Sequence, residues 1–316
     1  LIKLERTCRE IEEANAGSGP KTKIIAMVGI AGTTETGNID NLKEIRKIAD
    51  RHKTFFHVDA AWGGSLLLSD DYRYLFTGIE KADSVTVDAH KLMYAPPSLG
   101  MVFFRNGTDL RAIQHYSNYI IRQDSVDLGR FSVEGSRPFE ALKPWATLKI
   151  IGRDGFKLII DHAFELTSVL RGLVEMHCNF EAMNQPELFI FNYRFVPKYV
   201  QEKLNKLMTR IQNEDFIDEK NNLIKMEYLS RVENINSALN DLNTELHKAI
   251  REEDDSFVSR TMIDSPQYFY QDCVVLRAIT INPLTTPEIL KEIIEQQNKL
   301  GQKIYKNFFH NRFERI

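Results

Sequence analysis

The chain has 316 residues and a mass of 36.6 kDa, about twice a typical domain, so one large α/β unit or two domains are expected. Hydrophobic residues make up 43% and charged residues 27%, with no 18-residue apolar run, which argues against a mainly disordered, collagen-like or membrane-spanning chain. Forty-one Lys and Arg against 44 Asp and Glu leave a formal charge of −3, so no global basic field recruits nucleic acid or anionic lipid, and small-molecule chemistry is the better expectation.

Leu1, Leu4, Cys8 and Ile11 repeat at helical spacing from the first residue, with neither initiator Met nor signal peptide, so the sequence reads as a fragment that begins inside an element. Cys8, Cys178 and Cys273 are far apart and odd in number, which fits neither a disulfide framework nor a metal cluster and points to a reducing cytoplasm. After Gly17-Ser18-Gly19-Pro20, the run Ile24-Ile25-Ala26-Met27-Val28 has the length and punctuation of a buried strand. The polar turn from Gly32 to Gly37 follows, then a helix with Leu42, Ile45, Ile48 and Ala49 on one face, then a strand at Phe55-Phe56-His57-Val58. Further strands at Ser84-Val85-Thr86-Val87 and Met101-Val102-Phe103-Phe104 complete a rhythm that predicts a mostly parallel sheet covered by helices.

Helix signals dominate from Pro138 to His177, with Gly152 and Gly155 as the expected break and the passage between domains 1–152 and 153–316. Beyond it the sequence predicts a smaller α+β domain: a strand from Leu188 to Val196, helices from Pro197 to Ile211 and from Asn234 to Ile250, and a buried strand at Val274-Val275-Leu276. Asn213 to Asn222 is polar enough for a mobile loop. The last helix should be capped by Thr286, open on Pro287, carry a stripe of Ile289, Leu290, Ile293, Ile294 and Leu300, and end at Gly301.

The chemistry-bearing residues sit where strands should end: Thr33-Thr34, then Asp59-Ala60-Ala61, then Asp88-Ala89-His90-Lys91. Strand carboxyl ends of an α/β sheet gather distant residues around one crevice. An acid leaving one apolar strand and a lysine leaving the next, 32 residues on, are the two groups that pyridoxal phosphate requires. The lysine forms a Schiff base with the aldehyde, and the carboxylate keeps the ring nitrogen protonated. Taken singly each has a plainer reading: Asp59 an Asx-turn or helix-cap acid, Lys91 a solvated lysine, the threonine pair a cap for the helix near Asn41.

The stretches His57-Val58-Asp59-Ala60-Ala61-Trp62-Gly63-Gly64 and Ala82-Asp83-Ser84-Val85-Thr86-Val87-Asp88-Ala89-His90-Lys91 resemble the group II pyridoxal phosphate-dependent amino-acid decarboxylases, and the similarity runs from about Lys23 to Gly301. The resemblance implies the aspartate-aminotransferase-like fold (fold type I), with 1–152 as the C-terminal part of the cofactor-binding large domain, 153–316 as the small domain and the N-terminal part of the family fold absent. It also implies a homodimer with active sites between subunits. Residue by residue, it makes Lys91 the Schiff-base lysine, Asp59 the partner of the pyridinium nitrogen, Ala61 the small residue against the ring, and Thr34 and His90 neighbours of cofactor and phosphate. Arg277, on the strand Cys273 to Thr280, would recognise a substrate carboxylate; its plainer reading is a sheet-edge salt bridge.

Two positions depart from the family pattern. Asp88 stands where many members have Asn, beside the phosphate, and a carboxylate there is repelled unless protonated or turned away. Val126 falls where the mobile loop often carries a proton-donating tyrosine, with Tyr116 and Tyr119 nearby. Gly135-Ser136-Arg137-Pro138 and the Arg277 strand look most like bacterial glutamate or aspartate 1-decarboxylases. An aminotransferase or lyase of the same fold, or a catalytically incomplete fragment that only folds and dimerises, are the alternatives.

Overall fold

The computed structural model describes residues 1–213, 219–253 and 256–316. They form two compact units, Leu1–Ile160 and Asp161–Ile316. Of the loop expected over 213–222, residues 214–218 lie outside the described residues, while Asn213 and the stretch from Glu219 to Asn222 are helical.

The first unit opens with α1 (Ile2–Asn15), which buries Cys8. A four-stranded sheet follows, built from β1 (Ala26–Ile30), β2 (Phe55–Asp59), β3 (Ser84–Val87) and β4 (Met101–Phe104) in that spatial order. The first three strands are parallel and β4 returns antiparallel. Between β1 and β2 runs α2 (Leu42–Arg51), whose expected apolar face, Leu42, Ile45, Ile48 and Ala49, is buried. Asn41 caps it by accepting the Glu44 N–H at 3.2 Å, so the threonine pair upstream is not the cap.

The first strand differs from its expected form. It begins at Ala26, two residues later than the apolar run suggests, and it alternates: Met27 and Gly29 are buried while Val28 and Ile30 are exposed. α2 covers that one face. A Cβ on Gly29 would lie 2.8 Å from Leu42 Cδ2, which is how closely helix and strand pack. Asp83 secures the same layer, since its Oδ2 accepts both the Phe56 N–H and Arg46 at 2.8 Å.

α3 (Leu142–Met176) is interrupted at Gly152, where φ is +67°, in line with the break the sequence signals. In the second unit β5 (Phe180–Ala182), β6 (Ile190–Phe195), β7 (Ser259–Ser265) and β8 (Gln271–Ile279) form an antiparallel sheet in the order β5-β6-β8-β7. Its helices include α4 (Lys198–Asn213), α5 (Glu219–Glu253) and α6 (Pro287–Ile304). α5 is twice as long as the expected 234–250 helix. Neither β5 nor β7 was legible as a strand.

β6 is buried along its whole length, including a guanidinium. Arg194 Nε lies 3.3 Å from Glu181 Oε2, its NH1 donates to Asn236 Oδ1 at 2.8 Å, and its plane sits 4.0 Å from the Tyr268 ring. Tyr268 donates its hydroxyl to Glu181 at 2.7 Å. An ion pair and an aromatic face together hold a charge that burial alone would expel. Asn243 on α5 grips the end of β6, accepting the Phe195 N–H and donating to its carbonyl.

Thr286 caps α6 and Pro287 opens it, as expected, but the helix does not stop at Gly301. Gly301 is buried inside it, and a Cβ there would meet Phe195 ring carbons at 2.8 Å. The glycine serves close packing, not termination. Gly301→Ala would gain about 1 kcal/mol of helix propensity, yet forcing a methyl against the ring costs about 1–3 kcal/mol. A net loss of stability is expected, seen as a lower urea midpoint; a raised midpoint would show that Phe195 yields freely.

Candidate active site

Ile30, Asp59 and Thr86 form one register row across β1, β2 and β3, so the next residues of all three strands emerge at a single edge. The ladder continues past the strands. Ala31 N–H donates to Asp59 O at 2.8 Å, Ala60 N–H to Thr86 O at 3.0 Å, and Asp88 N–H to Ala61 O at 3.2 Å. Backbone hydrogen bonds thus seat the Asp59-Ala61 turn directly beside the Asp88-Lys91 turn.

Gly63 closes this arrangement from the other side. Its N–H donates to Ala31 O at 3.1 Å, and a Cβ would lie 2.4 Å from that same oxygen. Only glycine lets the chain pass so near the first turn, which explains the glycine after Trp62. In that first turn, Thr33 Oγ1 accepts the Asn38 N–H at 3.0 Å and bonds Thr36 Oγ1 at 2.9 Å. Thr34 is exposed beside it.

Asp59 is half-buried, and its Oδ1 accepts the Ala61 N–H at 3.0 Å. Among the described residues its Oδ2 has no hydrogen-bond partner. Lys91 Nζ lies 3.0 Å from Asp88 Oδ2, within a turn where Lys91 N–H donates to Asp88 O at 3.1 Å. His90 donates Nδ1–H to the Leu99 carbonyl, leaving Nε2 toward Asp88 at 4.0 Å. The Asp88 carboxylate is therefore turned to the Lys91 ammonium, with the His90 ring beyond it. Tyr94, three residues beyond the lysine, adopts a positive φ of 57°, and burial pushes its phenol above the ordinary range.

Three polar residues on this sheet were not singled out from the sequence. His57 bonds Ser84 Oγ through Nδ1 at 2.7 Å and Thr86 Oγ1 through Nε2 at 3.3 Å. His57 precedes Asp59 by two residues, so strand alternation puts both on one face, a signal the sequence does contain. Arg277 belongs to the second unit, half-buried on β8 opposite Asn192, with NH1 3.4 Å from Ser259 Oγ. Val126 is 96% exposed, and Tyr116 and Tyr119 are exposed too.

A carboxylate with one unengaged oxygen, a lysine amine and a small alanine on adjoining turns are the donor set that a pyridine aldehyde needs, so the residues present fit pyridoxal phosphate. Among the described residues no group of three or more His, Cys, Asp or Glu could hold a metal ion, and no helix is long and apolar enough to cross a membrane.

Comparison with known proteins agrees with the geometry. Residues 6–196 match the pyridoxal-dependent decarboxylase conserved domain. The chain is 39% identical over 279 residues to aspartate 1-decarboxylase of Aliivibrio fischeri, covering 88% of this chain and 47% of that protein. It is 30% identical over 261 residues to L-2,4-diaminobutyrate decarboxylase of Acinetobacter baumannii, covering 77% and 51%. The crystal structure of mouse CSAD in apo form superposes with a TM-score of 0.75 at 26% identity, over 95% of this chain and 55% of that one. The fold is that of the type I pyridoxal phosphate decarboxylases, and the chain spans about half the length of the relatives it matches.

Proposed function

We propose that this chain, which belongs to the pyridoxal-dependent decarboxylase family, supplies the cofactor lysine, the ring partner and the substrate arginine of an L-amino-acid α-decarboxylase. The proposed substrate is glutamate or aspartate, giving 4-aminobutyrate or β-alanine. The observation that carries the reading is the seating of Asp59 and Lys91 on adjoining turns, joined by the Asp88 N–H to Ala61 O bond of 3.2 Å. On this reading 1–152 belong to the cofactor-binding domain and 153–316 to the small domain of a cytoplasmic homodimer with its active site between subunits.

Pyridoxal phosphate, when bound, supplies an aldehyde for an amine and a ring that draws electrons from the substrate Cα. Lys91 would hold the aldehyde carbon until a substrate amine takes its place. Asp59 would accept a hydrogen bond at Oδ2 from the ring N–H and so keep the proton there. Ala61 would leave room for the ring face, Thr34 would lie near the cofactor and His90 would help bind the phosphate, with the Asp88 carboxylate turned from it toward Lys91. Arg277 would grip a side-chain carboxylate with two parallel hydrogen bonds, turning the α-carboxylate to the angle at which its bond weakens. The acidic preference is supported by that arginine and by the 39% identity to an aspartate 1-decarboxylase.

Three outcomes are expected. Borohydride reduction of the chain with pyridoxal phosphate, followed by peptide mapping, places the pyridoxyl group on Lys91, and Lys91→Ala abolishes the label; a label on another lysine overturns the assignment. In the complete enzyme Asp59→Ala raises the barrier by about 3 kcal/mol, read as kcat; turnover at the parental rate removes Asp59 from the mechanism. Arg277→Lys keeps the charge but loses the fork, and raises KM for an acidic substrate roughly tenfold. Carbon dioxide release from a panel of Glu, Asp, diaminobutyrate, Tyr and Dopa tests the choice, and preference for a basic or aromatic amino acid overturns it.

A further inference from the structure

Asp88 is the carboxylate of the strand-end cluster that shares a turn with Lys91, and its surroundings show what its charge engages. Its backbone is held on both sides, N–H to Ala61 O at 3.2 Å and O from Lys91 N–H at 3.1 Å. Its carboxylate lies close to Gly100, where the missing side chain leaves it room: a Cβ there would stand 3.2 Å from Oδ1. Oδ2 then lies 3.0 Å from Lys91 Nζ and 4.0 Å from His90 Nε2. The Asp88 and Lys91 side chains are 17% and 33% exposed, so the pair is partly withdrawn from water.

We propose that Asp88 is a latch on Lys91, an ion pair that must open before the amine can take a carbonyl group, so that Asp88 sets the rate of cofactor capture. The proposal rests on the reading of Lys91 as the cofactor lysine and adds a control built into the turn itself. Capture joins Nζ to the aldehyde carbon and expels one water, with no change of redox state. It uses the nitrogen lone pair, which an ammonium lacks, so one proton passes to solvent first. That proton departs from the group Asp88 holds, and leaving the pair costs its charge-assisted hydrogen bond.

The test compares the 316-residue chain with Asp88→Asn, which keeps shape and removes charge, and with Asp88→Ser as a second variant if the first does not fold. Second-order rates of capture are followed by visible absorbance with pyridoxal phosphate and, separately, with pyridoxal, which lacks the phosphate. A partly exposed ion pair supports about a 2- to 5-fold acceleration in the variants, and it is expected with both aldehydes. Equal or slower capture overturns the latch. So does acceleration confined to pyridoxal phosphate, which would put the carboxylate's effect on the phosphate. Borohydride-fixed label on Lys91 with equal rates overturns the latch alone, whereas label absent from Lys91 overturns the cofactor reading along with it.

Discussion

Everything at the candidate site depends on backbone hydrogen bonds that run on past the ends of the parallel strands. Parallel strands deliver their following residues to the same edge, because all of them point the same way. Here the bonds Ala31 N–H to Asp59 O, Ala60 N–H to Thr86 O and Asp88 N–H to Ala61 O extend the ladder through the turns themselves. Side chains that lie far apart in sequence are thereby placed by groups every residue carries. The chemistry is a choice of side chain at positions the backbone has already set.

That placement holds only if the layer beneath is tight, and the tolerances are visible. Gly29 lets α2 lie on the sheet, and Gly63 lets the chain after Asp59 pass the Ala31 carbonyl. Asp83 then joins helix to strand, accepting from Arg46 on α2 and from the Phe56 backbone on β2. With side chains 17% and 27% exposed, the Arg46–Asp83 pair counts for more than a solvated surface bridge. The second unit uses the same device more deeply, with Arg194 wholly buried between Glu181 and the ring of Tyr268.

How much of this the sequence discloses follows from what each element needs. The α2 face, the strands at Phe55 and Ser84, the break at Gly152 and the cap at Thr286 were legible because local pattern and tertiary environment agree there. The gathering of the Asp59, Lys91 and Thr34 turns at one edge was legible from strand direction alone. β7 was not, since in Ser259–Ser265 Arg260, Met262 and Asp264 are exposed and only Ser265 is buried, so the strand is held by pairing with β8 more than by burial. Gly301 misled because a glycine near a helix end usually stops it, and only the Phe195 ring across the interface reveals the other use. The polar row His57, Ser84 and Thr86 needed the register between strands, which no single strand contains.

The edge also carries two carboxylates to which the proposed reading gives opposite duties, and their partners separate them. Asp59 spends one oxygen on the Ala61 N–H, a bond to a fixed dipole that aims the side chain without neutralising it. Its charge remains for whatever approaches Oδ2. Asp88 is held against Lys91 and near His90, so its charge is already answered from within its own turn. A carboxylate that is aimed but unanswered attracts a cationic ring, whereas one answered by a neighbouring lysine restrains that lysine. On the proposed reading the two roles arise from the same functional group at the ends of neighbouring strands, and what assigns them is whether the nearest donor is a backbone amide or an ammonium.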